Sequence, residues 1–133
     1  MIEETLNIAT NDGAMETFIC RPERGNPCPP VLFLMDAPGI REELHDMSRR
    51  VASAGYCVLT PNLYYRAGSD TKFGPDALVK ESDDWTRMRA IRTKMTIPPV
   101  MDDIAAMIAF IDDRPEMVRP GSVGVHGYCM SGP

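Results

Sequence analysis

The chain has 133 residues, which is enough for one domain with a hydrophobic core and too few for two. Apolar residues make up 44% of the sequence and charged residues 25%, a balance typical of a globular protein and not of a disordered one. The net charge of -5 argues against nucleic-acid or anionic-membrane partners, and no apolar run is long enough to span a membrane. Because no leader pattern opens the sequence, we expect a cytoplasmic protein.

The first part of the chain predicts an antiparallel hairpin and then a buried strand. The segments TLNIAT (5–10) and AMETFIC (14–20) lie on either side of Asp12-Gly13, a strong hairpin signal. After a proline-rich loop, VLFLMD (31–36) is a continuous apolar run, which is typical of a strand covered on both faces of a parallel sheet.

Helices and strands alternate along the rest of the chain. Residues 42–54 have helical spacing and stop before Gly55, and YCVLTP (56–61) predicts the next buried strand. A polar, mixed segment then predicts an excursion over one end of the sheet, built from short helical pieces. An amphipathic helix is predicted over 100–114, and a last buried strand over 121–127. The apolar side of that helix consists of Ile104, Met107, Ile108 and Ile111.

This order of elements predicts an α/β fold in a single domain, residues 1–133. We expect a mainly parallel sheet with helices on both faces and the antiparallel hairpin at one edge. In such sheets ligands bind beside the loops that leave the carboxyl ends of the strands. Two loops have the right character, MDAPGI (35–40) and HGYCMSGP (126–133).

The second loop fits the pattern of a nucleophile elbow. Gly127, Cys129 and Ser131 occupy its three fixed positions, where a strained nucleophile needs small residues two positions away on each side. A carbonyl attacked by the Cys129 thiolate needs two backbone N–H donors for its developing negative charge. The elbow pattern assigns these donors to Met130 and, from the upstream loop, to Ala37. The alternative is that Cys129 is only a buried free thiol.

The other cysteines point to no further chemistry. Cys20 and Cys57 lie inside predicted strands and are expected to be buried, while Cys28 lies in the proline-rich loop. No cysteine or histidine has zinc-ligand spacing, so we expect no metal site. An enzyme that uses the Cys129 thiol as its nucleophile would need no organic cofactor either.

Three segments together resemble the dienelactone hydrolase family, α/β-hydrolases in which cysteine replaces the usual serine. They are VGVHGYCMSG, LMDAPGI and RVASAGYCVLTPNLYYR, and the resemblance runs along essentially the whole chain. It implies that Cys129 opens a lactone or ester to a thioester acyl-enzyme. It also implies that Asp36, where the family usually has glutamate, helps to activate the thiol. An alternative role for Asp36 is to cap the turn that follows it.

The resemblance also implies residues that this chain does not supply. Family members carry an acid and a histidine downstream of the nucleophile, and nothing follows Pro133. We expect His126 to be packed in its strand and His45 to lie on the first helix. We therefore expect an N-terminal portion of such a hydrolase, which ends at the elbow and leaves its last strand at the sheet edge. A second chain or segment would supply the missing groups, and residues 1–133 alone would be unstable and inactive.

Substrate recognition is left open by the sequence. The family grips the carboxylate of dienelactone with arginines, but none of the excursion arginines (Arg66, Arg87, Arg89 and Arg92) matches that pattern convincingly. Two interpretations of Cys129 other than the nucleophile of a hydrolase also remain. One is a non-catalytic fragment or pseudoenzyme that serves as a binding or assembly module, and the other is a peroxide-sensing thiol.

Overall fold

A mixed sheet lies at the centre of the fold. Within residues 1–68 and 71–132, which the computed structural model describes, five strands are arranged in the order β1-β2-β4-β3-β5. Their bounds are β1 (Ile2–Thr10), β2 (Gly13–Arg21), β3 (Pro30–Leu34), β4 (Cys57–Pro61) and β5 (Gly124–Gly127). The β1–β2 and β2–β4 pairs are antiparallel, whereas β3 pairs in parallel with both β4 and β5. The predicted sheet and its antiparallel hairpin are confirmed.

The hairpin turns where the sequence places it, although β1 begins three residues before the predicted start. Thr10 pairs with Gly13, so Asn11 and Asp12 form the two-residue turn. Gly13 has φ +141°, a conformation that favours glycine. The Thr10 hydroxyl accepts a hydrogen bond from the Asp12 amide at 3.2 Å and fixes the turn further.

Helix α1 (Glu42–Ser53) lies where the sequence predicts it and packs on β2 and β4. Its buried residues are Leu44, Ser48 and Ala52, spaced four apart along one face. The Ser48 hydroxyl is 2.6 Å from that of Thr60 on β4, so the polar pair is satisfied inside the interface. The helix stops before Gly55, which has φ +107°.

Helix α3 (Ile97–Asp112) covers the opposite face of the sheet. Because β4 and β5 lie on opposite sides of β3, right-handed crossovers place α1 and α3 on different faces. The predicted start at residue 100 was wrong by three positions, since Pro98 and Pro99 stand in the first turn, where no amide partner is needed. Ile108, expected on the buried side, is 39% exposed.

The excursion between β4 and α3 contains a longer helix than expected. Two short 3-10 turns, Tyr65–Ala67 and Pro75–Leu78, match the predicted short pieces. Helix α2 (Asp83–Lys94) has 12 residues and almost no apolar face, so periodicity does not reveal it. Its signals lie at its ends, where the Ser82 hydroxyl accepts from the Trp85 amide at 3.1 Å.

The core is formed by the inner strands and the faces of the helices that cover them. Leu32 and Phe33 on β3 and Leu59 on β4 are completely buried, and each stabilises the fold by about 1.5–3 kcal/mol. The strand β5 is different, because in the described part of the chain it pairs only with β3. Val125 on this edge strand is 55% exposed, and Tyr128 just beyond it is 45% exposed.

A buried polar network ties the excursion to α3. Asp103 is completely buried, and its carboxylate accepts from the Tyr65 hydroxyl at 2.8 Å. The Arg66 guanidinium donates to both oxygens of Asp103 at 2.9 Å and also to Asp12 in the hairpin turn at 2.7 Å. The buried charge of Asp103 is therefore paired, as burial requires.

Candidate active site

Two loops leave the sheet side by side at the carboxyl ends of β3 and β5. Because these strands are parallel and Leu34 is paired with Gly127, the chain leaves both strands at the same level. The loop after β3 begins at Met35, and the loop after β5 begins at Tyr128. These are the two loops at which the sequence predicts a ligand to bind and react, at the carboxyl ends of the strands.

Cys129 stands at a sharp turn directly after β5. Its φ is +55°, in the left-handed region that residues other than glycine rarely adopt. A single 3-10 turn, Cys129–Ser131, follows at once, and the thiol residue is exposed. This strained and accessible position is the one that a nucleophile elbow requires.

Gly127 is needed at this turn because the chain folds back on it. A Cβ atom at this position would lie 2.4 Å from the Ser131 carbonyl oxygen and 2.8 Å from its carbonyl carbon. Real Cβ atoms essentially never come that close to backbone atoms. Only glycine therefore allows β5 and the following turn to pass at this separation.

Ser131 joins the elbow to the loop after β3. Its hydroxyl donates a short hydrogen bond to the Met35 carbonyl, 96 residues earlier in the sequence. The elbow pattern usually has glycine at this position, so the serine side chain adds a contact that glycine could not make. The serine connects the segment that carries Cys129 to the residue that precedes Asp36.

The amides of Ala37 and Met130 have no hydrogen-bond partner in residues 1–68 and 71–132. Ala37 is only 3% exposed, so its free N–H is unusual, since buried backbone amides are almost always paired. The amides of Ala37 and Met130 are the two that the elbow pattern assigns to the negative charge developing on a substrate oxygen.

Tyr64, which follows β4 at the start of the excursion, contacts both of these residues. Its hydroxyl donates to the Ala37 carbonyl at 2.6 Å, and the same oxygen lies 3.5 Å from Met130 Sδ. Burial raises the pKa of this phenol to about 12, so it remains a neutral donor at neutral pH.

Asp36 is held in an ion pair with Arg41, which its sequence pattern did not predict. Arg41 donates to its two carboxylate oxygens at 2.6 and 2.9 Å and also to the Gly39 carbonyl at 2.9 Å. The hydrogen bond to Asp36 raises the pKa of the Arg41 guanidinium. Within the described residues, no hydrogen bond joins Asp36 to Cys129. The Asp36 carbonyl accepts from the Gly39 amide at 3.0 Å, which closes the turn after β3.

A cavity of about 680 Å³ opens beside Cys129, between the elbow and the start of α3. Its walls are largely apolar and include Leu34, Leu63, Met95 and Ile104. Arg92 is the one charged residue among the described residues that line it. An apolar cavity with a single cationic group favours a small organic ligand that carries negative charge.

The other excursion arginines are engaged elsewhere. Arg66 is paired with Asp103, Arg87 contacts Asp84 at 3.4 Å, and the Arg89 guanidinium lies 4.8 Å from the Trp85 ring centre. Arg92 forms no ion pair with any residue in the described ranges. Of the four excursion arginines that the sequence leaves equivalent, Arg92 is therefore the one that lines the cavity beside Cys129.

The four thiols differ sharply in their surroundings. Cys20, Cys28 and Cys57 are buried, whereas Cys129 is exposed, and all four are free. Burial raises the pKa of Cys20 to about 11 and that of Cys57 to about 12. Cys28 also forms a parallel bridge with Val118, so it is part of the core and not of an open loop.

Neither histidine forms a hydrogen bond with Cys129 in the part of the chain that the structure describes. His45 stacks on Phe18, with ring centres 4.2 Å apart, and its Nδ1 lies 3.2 Å from Glu42. His126 packs edge-on against Phe33, and burial lowers its pKa. The predicted packing of His126 in its strand is confirmed.

No helix in the described ranges is long and apolar enough to cross a membrane. Nor do those ranges contain a group of three or more metal-ligating side chains.

Tyr64 and Arg41 were missed at the level of sequence, and Arg92 was named only as one of four equivalent arginines. Tyr64 and Arg92 reach the elbow from distant positions, and only Arg41 carried a local signal, because a cation five residues after Asp36 can close back on it. Pro133, at the end of the predicted elbow loop, lies outside the described residues.

The sequence matches the model of the dienelactone hydrolase family over residues 15–133. The carboxymethylenebutenolidase of Pseudomonas sp. strain P51 is 28% identical over 135 residues, which cover 99% of this chain and 53% of that protein. A Methylorubrum extorquens protein provisionally named carboxymethylenebutenolidase is also 28% identical, with 99% of this chain and 42% of that protein covered. The chain thus spans about half the length of the curated relatives it matches.

Solved structures share the fold. A Klebsiella pneumoniae protein provisionally named dienelactone hydrolase superposes with a TM-score of 0.78 at 22% identity, over 96% of this chain and 50% of that one. A cold-adapted esterase from an Arctic intertidal metagenomic library gives 0.67 at 19% identity, with 96% and 50% covered. These likenesses show the α/β-hydrolase fold. Because the family model spans most of the sequence, the chain belongs to the dienelactone hydrolase family.

Proposed function

We propose that the chain carries the nucleophile of a hydrolase that acts on lactones or activated esters through a cysteine thioester. The observation that supports this most is the exposed Cys129 on its strained turn, in a loop beside that of Ala37, whose amide has no partner among the described residues. The names of the relatives, carboxymethylenebutenolidase and dienelactone hydrolase, fit the same class of reaction.

The chemistry follows from the positions of these groups. The thiolate of Cys129 attacks the substrate carbonyl carbon, a C–S bond forms, and the carbonyl π electrons move to the oxygen. The Ala37 and Met130 amides stabilise that oxyanion. When it collapses, the C–O bond to the leaving oxygen breaks, and that oxygen takes up a proton. Water then attacks the thioester, the C–S bond breaks, and the carboxylic acid and the thiol are released.

Proton transfer is the part that needs further groups. For Asp36 to activate the thiol, its carboxylate has to leave Arg41, and substrate binding is the event that would supply this change. We propose that a second chain or a further segment contributes an aspartate and a histidine, as in other α/β-hydrolases. With residues 1–133 alone we expect no turnover, and the proposed reaction requires no cofactor.

The proposed substrate has an apolar body and an anionic group. The apolar walls of the cavity suit the body, and Arg92 suits a carboxylate held a short distance from the reacting carbonyl. All four cysteines are free thiols, which fits a protein of the reducing cytoplasm.

Acyl labelling tests the proposal. A p-nitrophenyl ester of a small acid is added to the complete gene product, release of p-nitrophenolate is followed, and the acylated cysteine is located by peptide mass spectrometry. We expect one acyl group on Cys129 and none on Cys20, Cys28 or Cys57, whose thiols are buried. The variant Cys129→Ser gives the background rate. The nucleophile assignment would be refuted if the label were spread over several cysteines. It would also be refuted if Cys129 were acylated no faster than a free thiol such as glutathione.

A binding or assembly module is the second candidate, and the exposed edge strand favours it. Val125 and Tyr128 leave apolar surface at β5, which suits pairing with another polypeptide. In that case Cys129 reacts no faster than an ordinary exposed cysteine, and the same labelling experiment separates the two functions.

A further inference from the structure

Tyr64 occupies a position that the proposed chemistry does not yet use. Its hydroxyl oxygen lies 2.6 Å from the Ala37 carbonyl oxygen and 3.5 Å from Met130 Sδ. Ala37 and Met130 come from different loops, separated by most of the chain. One side chain therefore contacts both residues whose amides form the proposed oxyanion hole.

The phenol is itself firmly held. Tyr64 is 1% exposed, and its backbone amide donates to the Asn62 side chain at 3.0 Å. Phe73 packs edge-on against its ring, with centres 6.0 Å apart. At Gly39 an added Cβ would lie 3.3 Å from two atoms of the ring, so the loop after β3 also rests directly on it. The tyrosine thus has little freedom to move away from either loop.

We propose that Tyr64 is a positioning residue that sets the separation of the Ala37 and Met130 amides. This inference rests on the proposed function, because the amides matter only if Cys129 is acylated there. The Tyr64 hydroxyl fixes the Ala37 carbonyl and so orients Ala37. The next residue, Pro38, has no N–H, so it cannot replace Ala37 as a hydrogen-bond donor. The sulfur contact holds Met130 on the other side. Within the described residues the Tyr64 hydroxyl forms hydrogen bonds to Ala37 and Met130 and none to Cys129, so its effect on the reaction would be indirect.

The test compares two reactions of the same thiol. Acylation by a p-nitrophenyl ester develops an oxyanion, whereas alkylation by iodoacetamide displaces iodide and develops none. In the complete gene product we expect Tyr64→Phe to slow acylation of Cys129 by about 10-fold to 100-fold, less than the 10²–10³ lost when an oxyanion donor is removed outright. Alkylation of Cys129 should change by less than about twofold, because the thiol itself is unaltered.

Tyr65→Phe is the matched control. Tyr65 is the adjacent buried tyrosine, but its hydroxyl donates to Asp103 and not to either loop of the elbow. We expect both rates to stay within about twofold of the parent chain. Thermal unfolding of the two variants shows whether each is folded. A second variant, Met130→Leu, keeps the amide and removes the sulfur, and we expect a several-fold loss of acylation only.

The outcomes are distinct. If Tyr64→Phe and Met130→Leu acylate within about twofold of the parent chain, the positioning role is wrong. If acylation and alkylation fall together, Tyr64 serves the fold and not the oxyanion hole, which also overturns the inference. If the unsubstituted chain is not acylated at Cys129, the proposed function itself fails, and the comparison of variants is not reached.

Discussion

Replacing Gly127 by alanine tests the elbow most directly. The added Cβ would lie 2.4 Å from the Ser131 carbonyl oxygen, whereas ordinary van der Waals contact begins at 3.4 Å. The backbone must therefore separate by about 1 Å, and the segment that moves carries Cys129. Misplacement of a reacting group by 1 Å can cost about 100-fold in rate. The overlap itself costs about 1–3 kcal/mol of unfolding free energy, since both partners are backbone atoms or atoms close to it.

The assay measures acylation of Cys129 by a p-nitrophenyl ester beside urea unfolding of the same samples. We expect Gly127→Ala to lose about 100-fold in acylation rate and about 1–3 kcal/mol in unfolding free energy. Gly124→Ala is the matched control, because it adds the same methyl group to the same strand. There the new Cβ meets the Val31 side chain at 3.4 Å, an ordinary contact.

The reasoning is refuted if Gly127→Ala is acylated as fast as the parent chain. It is also refuted if Gly124→Ala loses as much rate as Gly127→Ala, because the effect would then belong to the strand and not to the turn. A loss of stability without loss of rate would show that the elbow relaxes without moving the thiol.

Two further predictions concern substrate charge and pH. We expect Arg92→Gln to slow acylation by a carboxylate-bearing ester about fivefold to tenfold more than acylation by a neutral ester of similar shape. Arg89→Gln is the control, and equal losses for both esters in Arg92→Gln would contradict the role of Arg92. Burial raises the pKa of the Cys57 thiol from 9.0 to about 12, so the unfolded chain loses this proton at lower pH than the folded chain. The free energy of unfolding, measured in urea, should therefore fall between about pH 9 and 12, by about 1.4 kcal/mol per pH unit, and Cys57→Ala should reduce that fall.

Local patterns in the sequence predicted those parts of the fold that local physics determines. Helix α1 follows from apolar spacing and Gly55, and the turn at Cys129 follows from small residues at fixed positions. Helix α2 was missed because it has no apolar face, although Ser82 and the acidic residues after it mark its start. Helix α3 begins three residues before its predicted start because Pro98 and Pro99 are tolerated in a first turn, where apolar spacing gives no signal of them.

The candidate site was predicted only as far as single segments could show it. Cys129, Met130 and Ala37 belong to recognisable loops, so their positions could be assigned. The contact of Tyr64 with Ala37 spans 27 residues, and that of Ser131 with Met35 spans 96. Such contacts depend on how strands and loops assemble, and a single sequence carries no direct signal of them. For the same reason the sequence does not indicate which of the four excursion arginines lines the cavity.

The edge position of β5 links chemistry to assembly. Within the described residues this strand is hydrogen-bonded only to β3, so its amides should exchange with solvent more readily than those of β3 or β4, which are paired on both sides. Cys129 thus directly follows a strand that is paired on one side only. Any polypeptide that pairs with the free side of β5 would narrow the range of positions that Cys129 samples. We therefore expect pairing on this side of β5 also to restrict the position of the proposed nucleophile.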